Sequence, residues 1–173
     1  TKDLLSYSQV RTEGKKPVPV ACIEVFDAVR GDLFSLIRDC GADVTSGELP
    51  TVLADRTQLG QVFQNLIGNA IKYRADRQPQ IHVSARREGG YWVIEVADNG
   101  IGIEPRCLTK IFELGVISRV DHRPQKKRKE VTGSGIGLAT CEMIIQRHGG
   151  RIWASSEGPD KGTTISFTMP AAD

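Results

Sequence analysis

Three glycine-bearing strings, separated by amphipathic segments, constrain this 173-residue chain more than any other feature. They are NLIGNAIKYR (65–74), DNGIGI (98–103) and GSGIGLA (133–139). A single glycine cluster usually marks a turn. Here the first lies within a helical pattern, the second ends an alternating strand pattern, and the third opens another helical pattern.

Local periodicity sets the elements around them. Residues 1–10 read as the end of a helix, and 11–20 (RTEGKKPVPV) as a linker carrying Gly14, Pro17 and Pro19. Ile23, Phe26, Val29, Leu33 and Ile37 recur at three- and four-residue steps, which predicts one helix over 22–40 with Gly41 as its stop. Gly31 inside it costs about 1 kcal/mol relative to alanine. A weak strand near Val44 and a proline-led return follow. Asp55, with Gln58 three residues on, gives a capping-box-like start to a helix reaching Tyr73. Its apolar stripe is Leu59, Val62, Phe63, Leu66, Ile67, Ala70 and Ile71.

IHVSARR and YWVIEVA alternate about Glu88-Gly89-Gly90, a β-hairpin signal. Next come a short helix around 105–112, a mobile loop over 114–132, and a helix from about 135 to 147 closed by Gly149-Gly150. RIWASS and TTISFTM form a second antiparallel pair across a Gly158–Gly162 turn. The order predicts an α/β (α+β) two-layer sandwich, a mixed and mostly antiparallel sheet with helices on one face.

Composition narrows the class. Hydrophobic residues are 39% and charged residues 25%, enough to bury a core in water. No apolar run approaches the ~18 residues of a membrane span, and no signal-peptide core lies near Thr1. A cytoplasmic protein without membrane contact is expected, and the opening without methionine reads as a fragment of a longer chain. Cys22, Cys40, Cys107 and Cys141 fit neither zinc nor CxxC spacing and read as reduced, mostly buried thiols. Net charge is +2, but 119–130 holds six Lys/Arg against two acids. Without interleaved aromatics, that loop is a thin nucleic-acid footprint, and no nucleic-acid partner is expected.

The strings themselves carry chemistry. At about 100° per residue, Asn65, Asn69 and Lys72 fall within an arc of about 60°, opposite the apolar stripe. Amide oxygens are hard neutral ligands suited to Mg²⁺, and an ammonium group is a point charge for phosphate. Asp98, at a strand end, suits the exocyclic amine of adenine. Gly100 and Gly102 permit close backbone approach to a base, with Ile101 and Ile103 as walls. Gly133, Gly135 and Gly137 expose N–H groups at a helix N-terminus, where phosphates bind. No GK[ST] follows, so this is not a P-loop. No strand precedes it in a compact βαβ unit, so it is not a dinucleotide fingerprint.

These strings resemble, in order, the N, G1 and G2 boxes of the catalytic ATP-binding domain of bacterial sensor histidine kinases, within the GHKL superfamily. The stretch around Phe112 resembles the F box and Gly162–Thr164 the G3 region. KYR and HGGRIW are similar to phytochrome-type and PAS-linked kinases. The resemblance spans roughly 20–170, with 1–19 as the end of an upstream acceptor-helix region plus linker, 20–173 as the catalytic domain, and 104–132 as its lid.

The resemblance implies ATP and Mg²⁺ as cofactors, with Asn69 on the metal and Asn65 supporting the phosphates or the metal shell. Lys72 would contact phosphate, and Tyr73 would border ribose or adenine. Asp98 would read the adenine amine, aided by Thr163 or Thr164, with Gly100, Gly102 and Ile103 around the base. Phe112 would anchor the lid. Gly133, Ser134, Gly135, Ile136 and Gly137 would line the phosphates, with Leu138 beneath. ATP-hydrolysing relatives carry glutamate where Asn65 stands. An amide has no useful basicity, so the pocket would position the γ-phosphoryl for a histidine brought from elsewhere.

His82, His122 and His148 lack the family's phosphoacceptor context and read as surface or capping residues. The implied partners are upstream dimerisation and phosphoacceptor helices in a homodimer, then a response-regulator receiver. The lid departs from the pattern: Gly115 replaces a second aromatic, and Ile117 precedes Arg119. Arg119, Lys126, Lys127 and Lys129 remain candidates for the missing phosphate contact. A degenerate nucleotide-binding regulatory module is the alternative reading.

Overall fold

The computed structural model describes residues 14–113 and 136–173. Its elements are β1 (Val18–Ala21), α1 (Cys22–Asp32), α2 (Phe34–Cys40), β2 (Asp43–Ser46), β3 (Thr51–Ala54), α3 (Arg56–Lys72), β4 (Gln80–Glu88), β5 (Tyr91–Asp98), α4 (Gly137–Arg147), β6 (Ile152–Ser155) and β7 (Thr163–Pro170). A five-stranded sheet runs in the order β2-β4-β5-β7-β6. β2 is parallel to β4, and every other pair is antiparallel. Alternation along β4 sends Ile81 and Val83 into the core and leaves His82 exposed. The core joins that face to α1, α3 and α4. Phe63 of α3 meets Phe167 of β7 edge to face, with centroids 6.0 Å apart, a contact adding about 1 kcal/mol beyond burial. This is the two-layer sandwich expected.

The hairpin closes over Gly89-Gly90, with Glu88 opposite Tyr91. Asp55 caps α3: its side chain accepts the N–H groups of Thr57 and Gln58, satisfying donors that a helix start leaves open. Its other carboxylate oxygen accepts from the Lys15 N–H at 2.9 Å.

Four local expectations need correction. The helix read over 22–40 is two helices, broken at Leu33, where ψ is 9°. The apolar steps stay in phase through the break, so periodicity hides it. Gly31, a poor helix former, lies two residues before it. The segment read as a linker contains β1, which pairs antiparallel with β3 in a separate two-stranded ribbon. Val20, Val52 and Ala54 bury against the core there, so the architecture has a second small sheet. The short helix around 105–112 is two 3₁₀ turns, Pro105–Cys107 and Lys110–Phe112. Of the four free cysteines, Cys22 and Cys141 are buried, but Cys40 and Cys107 are only partly so. The N-terminal helix end and the 114–132 loop lie outside the described residues.

Among the described residues, no helix is long and apolar enough to cross a membrane.

Candidate functional site

Helix α3 buries Leu59, Val62, Phe63, Leu66, Ile67, Ala70 and Ile71. Asn65, Asn69 and Lys72 are half-buried on its other side. The core stripe thereby fixes the direction in which the amides and the amine face. Tyr73 caps the helix C-terminus, with its N–H on the Asn69 carbonyl at 2.9 Å. Its side chain is 8% exposed and packs with Ala75 and Ile101 in a small satellite cluster. Lys72 Nζ lies 5.6 Å from the Tyr73 ring centroid.

Asp98 ends β5 directly opposite Thr163, the first residue of β7. Its Oδ1 accepts two backbone N–H groups, Gly100 at 2.9 Å and Thr163 at 3.2 Å. Thr163 is 2% exposed, and its Oγ1 is buried without a partner. Of the two threonines considered, Thr163 is therefore the one joined to Asp98; Thr164 stands opposite Ala97 and is half-buried. An orphaned hydroxyl beside a fixed carboxylate is what a ligand amine and a bridging water would satisfy.

The glycines of this turn permit a close approach, but to the protein's own backbone. A Cβ on Gly100 would stand 2.5 Å from the Tyr73 carbonyl oxygen, and one on Gly102 would clash with the Gly158 carbonyl. Gly102 also has φ +73°, a left-handed conformation. Ile101 donates its N–H to the Tyr73 carbonyl at 3.0 Å, so the turn is tied to the end of α3. Ile101 sits in the Tyr73 cluster, whereas Ile103 is buried in the main core.

The third string meets the first. Ile136 precedes α4 as its N-cap, Gly137 opens the helix, and Leu138 packs against the core. A Cβ on Gly137 would lie 3.0 Å from Asn65 Oδ1. One turn further along, burial pushes the Cys141 thiol up to about 12, an effect opposed by the neighbouring Asn65 amide. Asn65 thus spans the contact between α3 and α4. Phe112 is buried in the core beside α4, at the edge of the described residues. Gly133, Ser134, Gly135, His122 and the lid positions Gly115, Ile117, Arg119, Lys126, Lys127 and Lys129 lie outside them.

The donor set fits a cation carried on phosphates. α3 offers two neutral amides, and among the described residues no three His, Cys, Asp or Glu side chains gather as a metal cage. Mg²⁺ retains waters and shares phosphate oxygens rather than demanding such a cage.

Sequence reading missed the roles of three residues. Arg77 Nε donates to the Asn99 carbonyl at 2.8 Å, and its Nη2 to those of Gly100 and Asp160 at 3.2 and 2.7 Å. Ser156 Oγ donates to the Gly162 carbonyl at 2.7 Å and accepts the Ile103 N–H at 3.1 Å. The Asn99 side chain bridges the Gln80 N–H and the Gln78 carbonyl, both at 2.9 Å. His148 does cap α4, but it is buried rather than on the surface. Its Nδ1 lies 2.7 Å from the Ile144 carbonyl and its Nε2 accepts the Asp55 N–H at 3.0 Å, which assigns the ring proton to Nδ1. Only Asn99 carried a signal, as the Asx residue of a turn. His82 is exposed, with Nδ1 2.8 Å from Thr45 Oγ1.

Comparison with known proteins bears on the family and the fold. The cyanobacterial phytochrome A of Nostoc sp. is 44% identical over 168 residues, covering 97% of this chain and 21% of its own length. The chain therefore spans about a fifth of that relative. Full-length ShkA in complex with AMPPNP shares the fold, with TM-score 0.77 and 24% identity over 98% of this chain and 34% of that one. ThkA in complex with the response regulator protein TrrA aligns with TM-score 0.69 and 25% identity, over 98% of this chain and 45% of that one. The profile of the histidine kinase-, DNA gyrase B- and HSP90-like ATPases matches residues 54–173. The chain belongs to that ATPase family.

Proposed function

We propose that this chain is the ATP-binding catalytic domain of a two-component sensor histidine kinase, which binds Mg-ATP and delivers its γ-phosphoryl to a histidine. The observation that carries this reading is the meeting of Asn65 with Gly137 at the start of α4, while Asp98 is fixed in a turn tied to the Tyr73 carbonyl at the C-terminal end of α3. A helix start offers N–H donors and positive dipole to phosphate.

Within that reading Asn69 holds the metal, Lys72 adds a point charge, and Asp98 accepts from the purine amine with Thr163 beside it. Bound Mg²⁺ supplies charge neutralisation across the phosphates. Asn65 cannot take a proton from water, so the pocket orients the phosphoryl group rather than hydrolysing ATP. The nucleophile is then a neutral imidazole, which needs little activation near pH 7. A P–N bond forms as the P–O bond to ADP breaks. His148 is committed to Asp55 and Ile144, and in this reading the acceptor histidine comes from a separate helix pair. Relatives that are phytochromes, and a fold neighbour held with a response regulator, support a cytoplasmic homodimeric kinase that passes phosphoryl on to a receiver aspartate.

The test mixes this chain with a separately made phosphoacceptor-helix domain and radiolabelled ATP. Label on the acceptor histidine is expected. Nucleotide binding without transfer to any acceptor would favour a regulatory module, and release of free phosphate alone would contradict the role of Asn65.

A further inference from the structure

The turn that fixes Asp98 is itself held from behind by two side chains. Arg77 lies on the loop after α3 and is exposed. An exposed guanidinium is ordinarily solvated, yet Nε and Nη2 here bind three carbonyls on two separate turns, around Asn99–Gly100 and at Asp160. The planar fork of arginine suits such a task; a lysine ammonium does not span it.

The identity of the bonded peptides matters. The Asn99 carbonyl and the Gly100 N–H belong to one peptide unit. Arg77 donates to its oxygen, and its N–H donates to Asp98 Oδ1. The Gly162 carbonyl and the Thr163 N–H likewise share a peptide unit. Ser156 donates to its oxygen, and its N–H donates to the same Asp98 oxygen. Two hydrogen-bonded relays thus converge on one carboxylate atom. Each donor polarises its peptide and strengthens the N–H on the far side, and the charged donor does so most.

We infer that Arg77, with Ser156 as its neutral counterpart, is a positioning residue that sets the orientation of Asp98 and hence selectivity for a purine bearing a 6-amino group. The inference rests on the proposed role of Asp98 at adenine. Both side chains act through a peptide bond.

The test measures dissociation constants for ATP and ITP, which differ in the 6-amino group, on the whole chain and on Arg77→Ala, Arg77→Lys and Ser156→Ala. Arg77→Ala should weaken ATP about tenfold, the equivalent of losing one charge-assisted hydrogen bond, and narrow the ITP-to-ATP ratio by roughly threefold or more. Arg77→Lys should fall between it and the parent, and Ser156→Ala should narrow the ratio less. A purely structural brace would weaken both nucleotides equally, so a parental ratio in folded Arg77→Ala overturns the inference. If Arg77→Ala does not fold, judged by far-UV circular dichroism, the ratio in Arg77→Lys decides in the same sense. A parent chain that binds neither nucleotide rejects the ATP reading itself; one that binds both equally rejects the role of Asp98, and this inference with it.

Discussion

The two ends of the site are built differently. At the Asp98 end, recognition is a matter of backbone. One carboxylate oxygen is held by two peptide N–H groups, and glycines let strands and turns touch. At the α3–α4 end, the groups are side chains projected from a helix face whose opposite face is core. The first end is fixed by hydrogen bonds among residues distant in sequence; the second is fixed by packing. A change at one end should therefore damage the site in a different way from a change at the other.

The largest effect should come from Gly102→Ala. The new Cβ meets the Gly158 carbonyl in a left-handed backbone conformation, and such strain plus the clash should cost about 3 kcal/mol. Urea unfolding checks this; unchanged stability would mean that the Asp98 end is not backbone-locked.

Asp55→Ala breaks the other end at its root. It removes the cap of α3 and the tie to Lys15, and should cost about 1–2 kcal/mol in urea. The preference for ATP over ITP should survive, because the Asp98 turn is untouched.

An effect absent at neutral pH sharpens the packing side. Burial pushes the Cys22 and Cys141 thiols up to about 12. An unfolded thiol ionises near 9, so above that pH the unfolded chain binds fewer protons than the folded one and stability falls. The loss should be about 1 kcal/mol per thiol for each pH unit between 9 and 12. Replacing both by serine or alanine should flatten the alkaline limb of a pH–stability curve. At neutral pH, Cys40 and Cys107 should react with thiol reagents well before the buried pair.

Legibility from sequence followed the same division. The stripe of α3, its Asp55 cap and the Gly89-Gly90 hairpin were all readable, because each is decided by neighbours within a few residues. The break at Leu33 was not, since the apolar steps continue through it in phase. Nor was the β1–β3 ribbon, whose partners lie some thirty residues apart and whose first strand is short and proline-bearing. Asp98 was legible as a carboxylate at a strand end, but Arg77 and Ser156 were not. Their partners are backbone carbonyls, some of them far along the chain, and any residue type supplies a carbonyl. Gly100 and Gly102 were read as sites of close approach to a base; that they also lie against the protein's own backbone follows only from the fold.

The most direct measurement of the two-ended pocket is calorimetric titration of ATP, with and without Mg²⁺, into the parent chain, Asp98→Asn and Asn69→Ala. Asp98→Asn should lose affinity to a similar degree in both conditions, whereas Asn69→Ala should lose about ten- to hundredfold only when Mg²⁺ is present. Parental binding in both variants, or an equal loss in Asn69→Ala without the metal, would contradict a helix that turns its amides toward a magnesium-bridged triphosphate.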